Sequence, residues 1–524
     1  MWQFHGPDGR GPSSMPRSKM ATSSTAMPWR FWIVFSFGAL IRFAGLGHKQ
    51  LWLDELIQAV RSSPGSFLGV LKSVADDRAQ APLDYVIQHY LARLLGQSAF
   101  ALRFHAAVFG TLTILALYYF ARSVIDERTA LMTSILYAVY PLHHTYSQEA
   151  RPYALFTLLA VCSYLLCWHL LLSGKTKIWL AYIVVTALLF YTNFFGLFAV
   201  FSQFVFTVTL LAPRISRSLP EIRKIGVAFV FRFATAVAAS AALFLPWIVM
   251  GIRTNLVYSP LPERFDFKLF LRFLKELSDR SFPLSAVLIT LAVLGIRKLV
   301  SEEKLGHVSF LLCWFLLPLP FIFLLVYLED YFFAIRQILF ATPAFYILIS
   351  LGILHLSEIP FKSMRVRWMA QVDRVVALVV LMSTIQIGLH FPDRREDLKG
   401  AGQFLKRNVS AGDIVVAPGA GNILSFYFSE IFDHMQVHDE GSRRNGGLSD
   451  LPGIHHYLQP VAALGDISGS LASGKRVFVV ESRNVTHAED LLIRMRSASA
   501  VTVQRTEFKG VEIIELEGAN TLSR

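Results

Sequence analysis

Two acidic residues stand side by side in Leu51-Trp52-Leu53-Asp54-Glu55, directly after an apolar run. A carboxylate at such a boundary accepts a proton well when it is partly buried, because burial raises its pKa. Trp52, Leu53 and Leu56 supply an apolar frame for that burial; the plainer alternative is a solvated acidic pair. A second cluster, Tyr146-Ser147-Gln148-Glu149-Ala150-Arg151-Pro152-Tyr153, lies between two further apolar runs. Ionisable groups at the edge of an apolar span usually serve function or pair with one another, so Glu149 and Arg151 are either part of a site or a structural ion pair. Pro152 suits the first turn of the helix that follows. A third feature is Arg336, in Phe333-Ala334-Ile335-Arg336-Gln337. Its fixed fork of donors suits a phosphate, and its position equally suits a snorkelling anchor. His143 and His144 read as interfacial packing rather than metal ligands. Cys162, Cys167 and Cys313 all sit in apolar runs without metal-ligand spacing. Gly419-Ala420-Gly421 resembles part of a nucleotide fingerprint, but the full spacing is missing, and a tight turn explains it as well.

The elements that must position these residues are membrane helices. Of the 524 residues, 54% are hydrophobic and only 17% are charged, where a soluble chain carries about a quarter charged residues. Apolar runs near the length of a bilayer span must be helices, since lipid offers the backbone no hydrogen bonds. About eleven spans are expected: Phe31 to Leu46, then 99–121, 129–146, 153–173, 178–193, 194–212, 226–250, 282–298, 307–327, 337–356 and 375–391. Residues 1–28, rich in Gly, Pro, Ser and Met, read as a disordered cytoplasmic tail, without the cleavage site of a signal peptide. The net charge of +13 fits lysines and arginines gathered in short loops on one side, which makes that side cytoplasmic. Loop 48–98, loop 251–281 and everything after about residue 392 then face the other way. No basic stripe with interleaved aromatics marks a nucleic-acid surface.

The C-terminal part differs in kind. Residues 396–408 read as an amphipathic helix and 413–417 as a strand. A strand at 476–481 and a helix at 487–497 follow, and Val501–Glu507 pairs with Val511–Leu516 across Lys509-Gly510. The expected fold is therefore mostly α. A polytopic transmembrane domain spans 29–391, with loop 48–98 outside the membrane, and a small α/β extracytoplasmic domain spans 392–524. Within the loop, 82–95 reads as an amphipathic helix along the interface.

These residues carry a resemblance. The apolar run ending in Arg42 and followed by Leu-Trp-Leu-Asp-Glu resembles the start of the ArnT and protein O-mannosyltransferase-like group of the C-type glycosyltransferase superfamily. So do Ala81-Pro82-Leu83-Asp84-Tyr85 and Leu95-Gly96-Gln97-Ser98-Ala99-Phe100-Ala101-Leu102-Arg103. The 146–153 cluster is the most specific match, and Tyr191-Thr192-Asn193-Phe194-Phe195 and Arg336 with Pro343 also fit. The resemblance covers residues 30–356 and implies inverting transfer of a sugar from a polyprenyl-phosphate carrier. The acceptor it implies is a glycolipid, polysaccharide or protein. It makes Asp54 the catalytic base with Glu55 its neighbour, and it puts Glu149, Arg151 and Tyr153 near the carrier headgroup. Where relatives carry a basic residue before the Leu-Tyr segment, this chain has Gln80-Ala81-Pro82, so Arg78, Arg151 or Arg336 must meet the phosphate. No cofactor or metal is demanded. The setting implied is a bacterial inner membrane with the site on its outer face.

Elementary chemistry agrees with that implication. No nucleotide-binding domain is evident, and a site on the outer face needs a donor that comes with the membrane. Arginines can stabilise the developing charge on a departing phosphate. The rival reading is a multi-pass transporter or lipid flippase. Such proteins place ionisable groups near the bilayer midplane and show internal repeats; here the ionisable clusters sit at one face.

Overall fold

The computed structural model describes residues 27–75, 80–222, 226–252, 267–278, 281–328, 334–359, 371–390, 397–410, 413–417, 436–438, 458–459, 474–482 and 500–518. The chain opens with α1 (Trp29–Phe43), followed by three short helices, α2 (Leu53–Arg61), α3 (Phe67–Ala75) and α4 (Leu83–Leu95). Then come α5 (Ala99–Val124), α6 (Glu127–Val139), α7 (Pro141–Ser147), α8 (Tyr153–Ser173), α9 (Thr176–Thr192) and α10 (Gly196–Thr209). After the single turn α11 (Pro213–Ser216) follow α12 (Val227–Ile252), α13 (Phe267–Glu276), α14 (Phe282–Ser301), α15 (Leu305–Leu316) and α16 (Pro318–Leu328). Two 3-10 turns, Ile335–Gln337 and Leu339–Ala341, lead into α17 (Thr342–Glu358) and α18 (Val372–His390).

Six helical stretches among the described residues are long and apolar enough to cross a membrane: 99–124, 153–173, 227–250, 282–301, 305–325 and 339–358. Three more, 176–192, 196–209 and 374–388, are apolar but shorter. The expected count of eleven is therefore not reached by length. The helix α1 has 15 residues, and the stretch expected at 129–146 is broken between α6 and α7.

The break has a local cause. Pro141 opens α7 and has no N–H to give to the carbonyl of Tyr137, one turn back. The carbonyls left at the end of α6 are taken up by Arg42, which donates to Tyr137 O at 3.0 Å and Ala138 O at 2.9 Å while also bonding Gly38 O at 3.0 Å. A fully buried arginine in an apolar bundle is thus spent on backbone groups that lipid would leave unsatisfied. The break turns the chain so that 146–153 lies beside the end of α1, whose Ile41, Arg42 and Ala44 carbonyls accept from Gln148 Nε2.

Elsewhere the bundle is held by small residues and rings. A Cβ on Gly295 would lie 2.0 Å from Leu348 O, and one on Gly352 would lie 1.8 Å from Leu291 O. The backbones of α14 and α17 therefore touch through glycine, as membrane helices do where lipid supplies no hydrophobic drive to association. Beside them Trp314 stacks on Tyr164 at 3.9 Å and meets Phe120 edge-on. Gly352→Ala is expected to cost about 1–3 kcal/mol by overpacking. Gly388→Ala, with nothing within 4 Å of the added Cβ, should leave stability unchanged or slightly raised. Thermal unfolding of the two variants in detergent checks this.

The C-terminal part is α19 (Leu398–Asn408) followed by strands β1 (Ile414–Val416), β2 (Gln436–His438), β3 (Leu458–Gln459), β4 (Val477–Ser482), β5 (Ala500–Phe508) and β6 (Val511–Gly518). The sheet order is β3-β2-β1-β4-β6-β5. The first four strands run parallel, and β6 pairs antiparallel with both β4 and β5. The hairpin turns at Lys509-Gly510, where Gly510 takes φ 74, a conformation open to glycine. Strands β2 and β3 were not expected from the sequence. The expected helix at 487–497 and the Gly419–Gly421 turn lie outside the described residues.

Candidate functional site

The site is built on the first turn of α2. Glu55 is fully buried and reaches back to accept from its own helix's Trp52 N–H at 3.2 Å, closing the N-terminus. Arg103, from α5, grips it with both edges: Nε to Oε1 and Nη2 to Oε2, each 2.7 Å. Oε1 also accepts from Ala150 N–H at 2.8 Å. Glu55 therefore joins three segments, α2, α5 and the 148–152 turn, and its two oxygens hold four hydrogen bonds.

The neighbouring carboxylate faces the other way. Asp54 Oδ2 accepts from Arg336 Nη1 at 3.1 Å, and the two side chains are 24% and 21% exposed. Arg151 closes the group from a third direction, with Nη1 3.2 Å from Asp54 O and 3.4 Å from Gln58 Oε1. Rings frame the charges. Arg336 lies over Trp52 at 5.6 Å and over Tyr153 at 5.8 Å, and Arg151 lies over Tyr153 at 5.9 Å. Tyr146 packs edge-on against Tyr153. Burial works against a charge on either arginine, but Tyr153 and Asp54, joined at Arg151 by Tyr85, outweigh it and hold both above the ordinary arginine value. Two buried donors beside the ion pair, Arg151 Nε and Trp52 Nε1, bond to nothing among the described residues. Donors of that kind in a native fold need an explanation, and an anionic ligand is one.

Behind the arginines runs a buried polar chain. Gln58 Nε2 donates to Asp84 Oδ2, which also meets His105 Nε2 at 3.2 Å. The carboxylate of α4 thus orients the glutamine that receives Arg151. The 148–152 turn is tightened by Arg151 N–H donating to Glu149 O at 2.7 Å, and Glu149 is itself buried.

Residues 79–247 match the family model for dolichyl-phosphate-mannose-protein mannosyltransferases. Over 92% of this chain the structure is similar to that of ArnT from Cupriavidus metallidurans in the apo state, with a TM-score of 0.62, 13% identity and 97% of the ArnT chain covered. The same enzyme bound to undecaprenyl phosphate aligns over 92% of this chain and 97% of its own, with a TM-score of 0.58 and 11% identity. The chain has the fold of ArnT. A comparison with curated proteins finds no match.

Within this ArnT-like fold, Asp54, Arg151, Tyr153 and Arg336 converge on one locus from segments far apart in sequence. Glu55 adjoins them but is buried and turned to Arg103 rather than to Arg336. Arg78 lies outside the described residues. Gln80 offers its carbonyl to Trp247 Nε1 at 3.2 Å. Sequence reasoning did not single out Arg103, Gln58 or Gln148. A charged residue inside an otherwise apolar run was the available signal for Arg103, as it was for Arg42. Gln58 and Gln148 carry no such signal, because their roles depend on which carbonyls and carboxylates the fold brings near.

Proposed function

We propose that this protein transfers a sugar from a polyprenyl-phosphate carrier to a hydroxyl of a glycolipid, polysaccharide or protein, with inversion at the anomeric carbon. The observation that carries the reading is the Asp54–Arg336 ion pair with Arg151 against the same turn. It sets a partly exposed carboxylate beside two arginines suited to a phosphate, in a fold shared with an enzyme solved bound to undecaprenyl phosphate. Asp54 takes the proton of the acceptor hydroxyl as its oxygen attacks the anomeric carbon. The bond from that carbon to the phosphate oxygen breaks, and the electron pair leaves with the polyprenyl phosphate. Arg336 supplies positive charge beside the leaving phosphate, and Arg151 offers its Nε to the charge that develops there. Trp52 and Tyr153 are aromatic faces of the kind that hold guanidinium planes in place. Asp84, through Gln58, fixes the direction of Arg151. We place the site on the outer face of a bacterial inner membrane, with α4 along the interface. The sugar is a hexose or pentose.

The test is a release assay on full-length protein in lipid nanodiscs, offering polyprenyl-phosphate sugars with and without acceptors. Release with inverted product supports the reading. Retention of configuration overturns the single displacement. Movement of the carrier lipid without bond cleavage turns the assignment to a transporter. Within the same assay Arg336→Ala should raise the donor KM about 10- to 100-fold, the loss of one charged hydrogen bond of about 1.5–3 kcal/mol.

A further inference from the structure

The C-terminal domain touches the turn that leads into α2. Gln50, four residues before Asp54, donates through Nε2 to Asp397 Oδ1 at 2.9 Å and accepts through Oε1 from Lys399 N–H at 3.2 Å. Asp397 is the residue that starts α19, capping Gly400 N–H with the same oxygen at 2.8 Å. Its own N–H donates to Lys509 O, in the β5–β6 turn, at 2.8 Å. Gln50 therefore grips the point where helix and sheet of the C-terminal domain are tied together. Around this polar clasp lies one continuous buried apolar cluster. Leu51, Leu56, Ala59, Leu102 and Ala150 come from the membrane domain, and Leu398, Ala401 and Leu405 come from one face of α19. Val415, Phe478 and Ile513 of the sheet complete it.

The clasp connects to the carboxylate pair in two steps. Arg103 holds the Gln50 carbonyl at 2.8 Å with the same nitrogen, Nη2, that holds Glu55. Glu55 in turn fixes Ala150 and the start of α2. A shift of Gln50 thus moves a carbonyl on Arg103, and Arg103 carries the shift to the turn that presents Asp54. The geometry points to a positioning role: we infer that the C-terminal domain sets the placement of the catalytic helix, with Gln50 as the positioning residue between them. The domain is a working part of the active site through its hold on this turn. This inference rests on the reading of α2 as the helix that carries the base.

The experiment uses the full chain in nanodiscs. Gln50→Glu sets a carboxylate against Asp397. Adding Asp397→Asn removes the repulsion and restores the clasp, since an amide NH2 in the place of Oδ1 donates to the new carboxylate, at the expense of the cap on Gly400. The single variant should lower kcat about tenfold to a hundredfold with little change in donor KM, the effect of a displaced catalytic group. It should also speed amide hydrogen exchange across residues 53–61. The double variant should recover most of both. Unchanged kcat and exchange in Gln50→Glu would overturn the inference. So would a double variant as impaired as the single, because residue 50 would then act on its own turn alone. Should Gln50→Glu fail to fold, Gln50→Ala removes the same two bonds without a repulsion; a fall in kcat and faster exchange support the inference, and wild-type values refute it. The exchange measurement needs no turnover, so it decides the coupling even where the proposed transfer reaction fails its own test.

Discussion

Asp54→Asn should leave a folded protein that has lost about 10²–10⁴-fold in kcat, the usual contribution of a positioned general base. The substitution keeps the shape of the side chain and an oxygen that can still accept from Arg336. It removes only the capacity to take a proton. The stability change should be small, within about 1 kcal/mol, because a part-exposed ion pair is worth no more than that. Donor KM should likewise change little, since Arg336 and Arg151 remain. Initial rates of sugar release and transfer, measured beside a thermal unfolding curve of the same preparation, check all three expectations. Full transfer by a normally folded Asp54→Asn would remove Asp54 from the role of base. A large rise in donor KM with kcat intact would instead make Asp54 a holder of Arg336, organising the phosphate site rather than the acceptor.

The contrast between these outcomes rests on a distinction that the sequence did not make. Asp54, Glu55, Glu149, Arg151 and Arg336 were conspicuous because each is an ionisable residue beside an apolar run, and that signal is local. The pairing of Asp54 with Arg336, 282 residues apart, is set by where the 3-10 turn before α17 comes to lie, which no local pattern encodes. Nor can spacing separate Asp54 from Glu55. Consecutive helical residues point about 100° apart, so the two carboxylates meet different neighbours, and which one is buried depends on where Arg103 stands. The spans show the same limit. Hydrophobicity marked 129–146 as one stretch, yet Pro141 breaks it, and the break survives burial because Arg42 satisfies the carbonyls it leaves. In the C-terminal domain the longer strands and the amphipathic helix were legible from alternation and period. Strands β2 and β3, of three and two residues, are too short to show either.

Removing Arg103 should therefore damage the protein in a different currency from removing Asp54. Arg103 uses all five of its N–H groups: two on Glu55 and one each on the carbonyls of Leu46, Lys49 and Gln50. Arg103→Met keeps the apolar stem and deletes every one of these donors. It leaves a buried carboxylate without its counter-charge, a loss of about 3–5 kcal/mol, and the expected result is a marked fall in the unfolding temperature. Arg103→Lys should rescue little, because a point charge with three donors cannot fill a five-donor fork. Removing the charge as well, in Arg103→Met with Glu55→Leu, should recover only part of the loss, since the three carbonyls stay unsatisfied. Glu55→Gln tests the partner. It turns one oxygen into a donor facing the donors of Arg103, so stability should drop by about 1–3 kcal/mol, and activity should fall with the loss of an ordered α2. The decisive comparison is between neighbours. If Glu55→Gln unfolded at the wild-type temperature and lost as much kcat as Asp54→Asn, Glu55 would be acting on substrate. The four hydrogen bonds already on its two oxygens argue that no lone pair is left for that work.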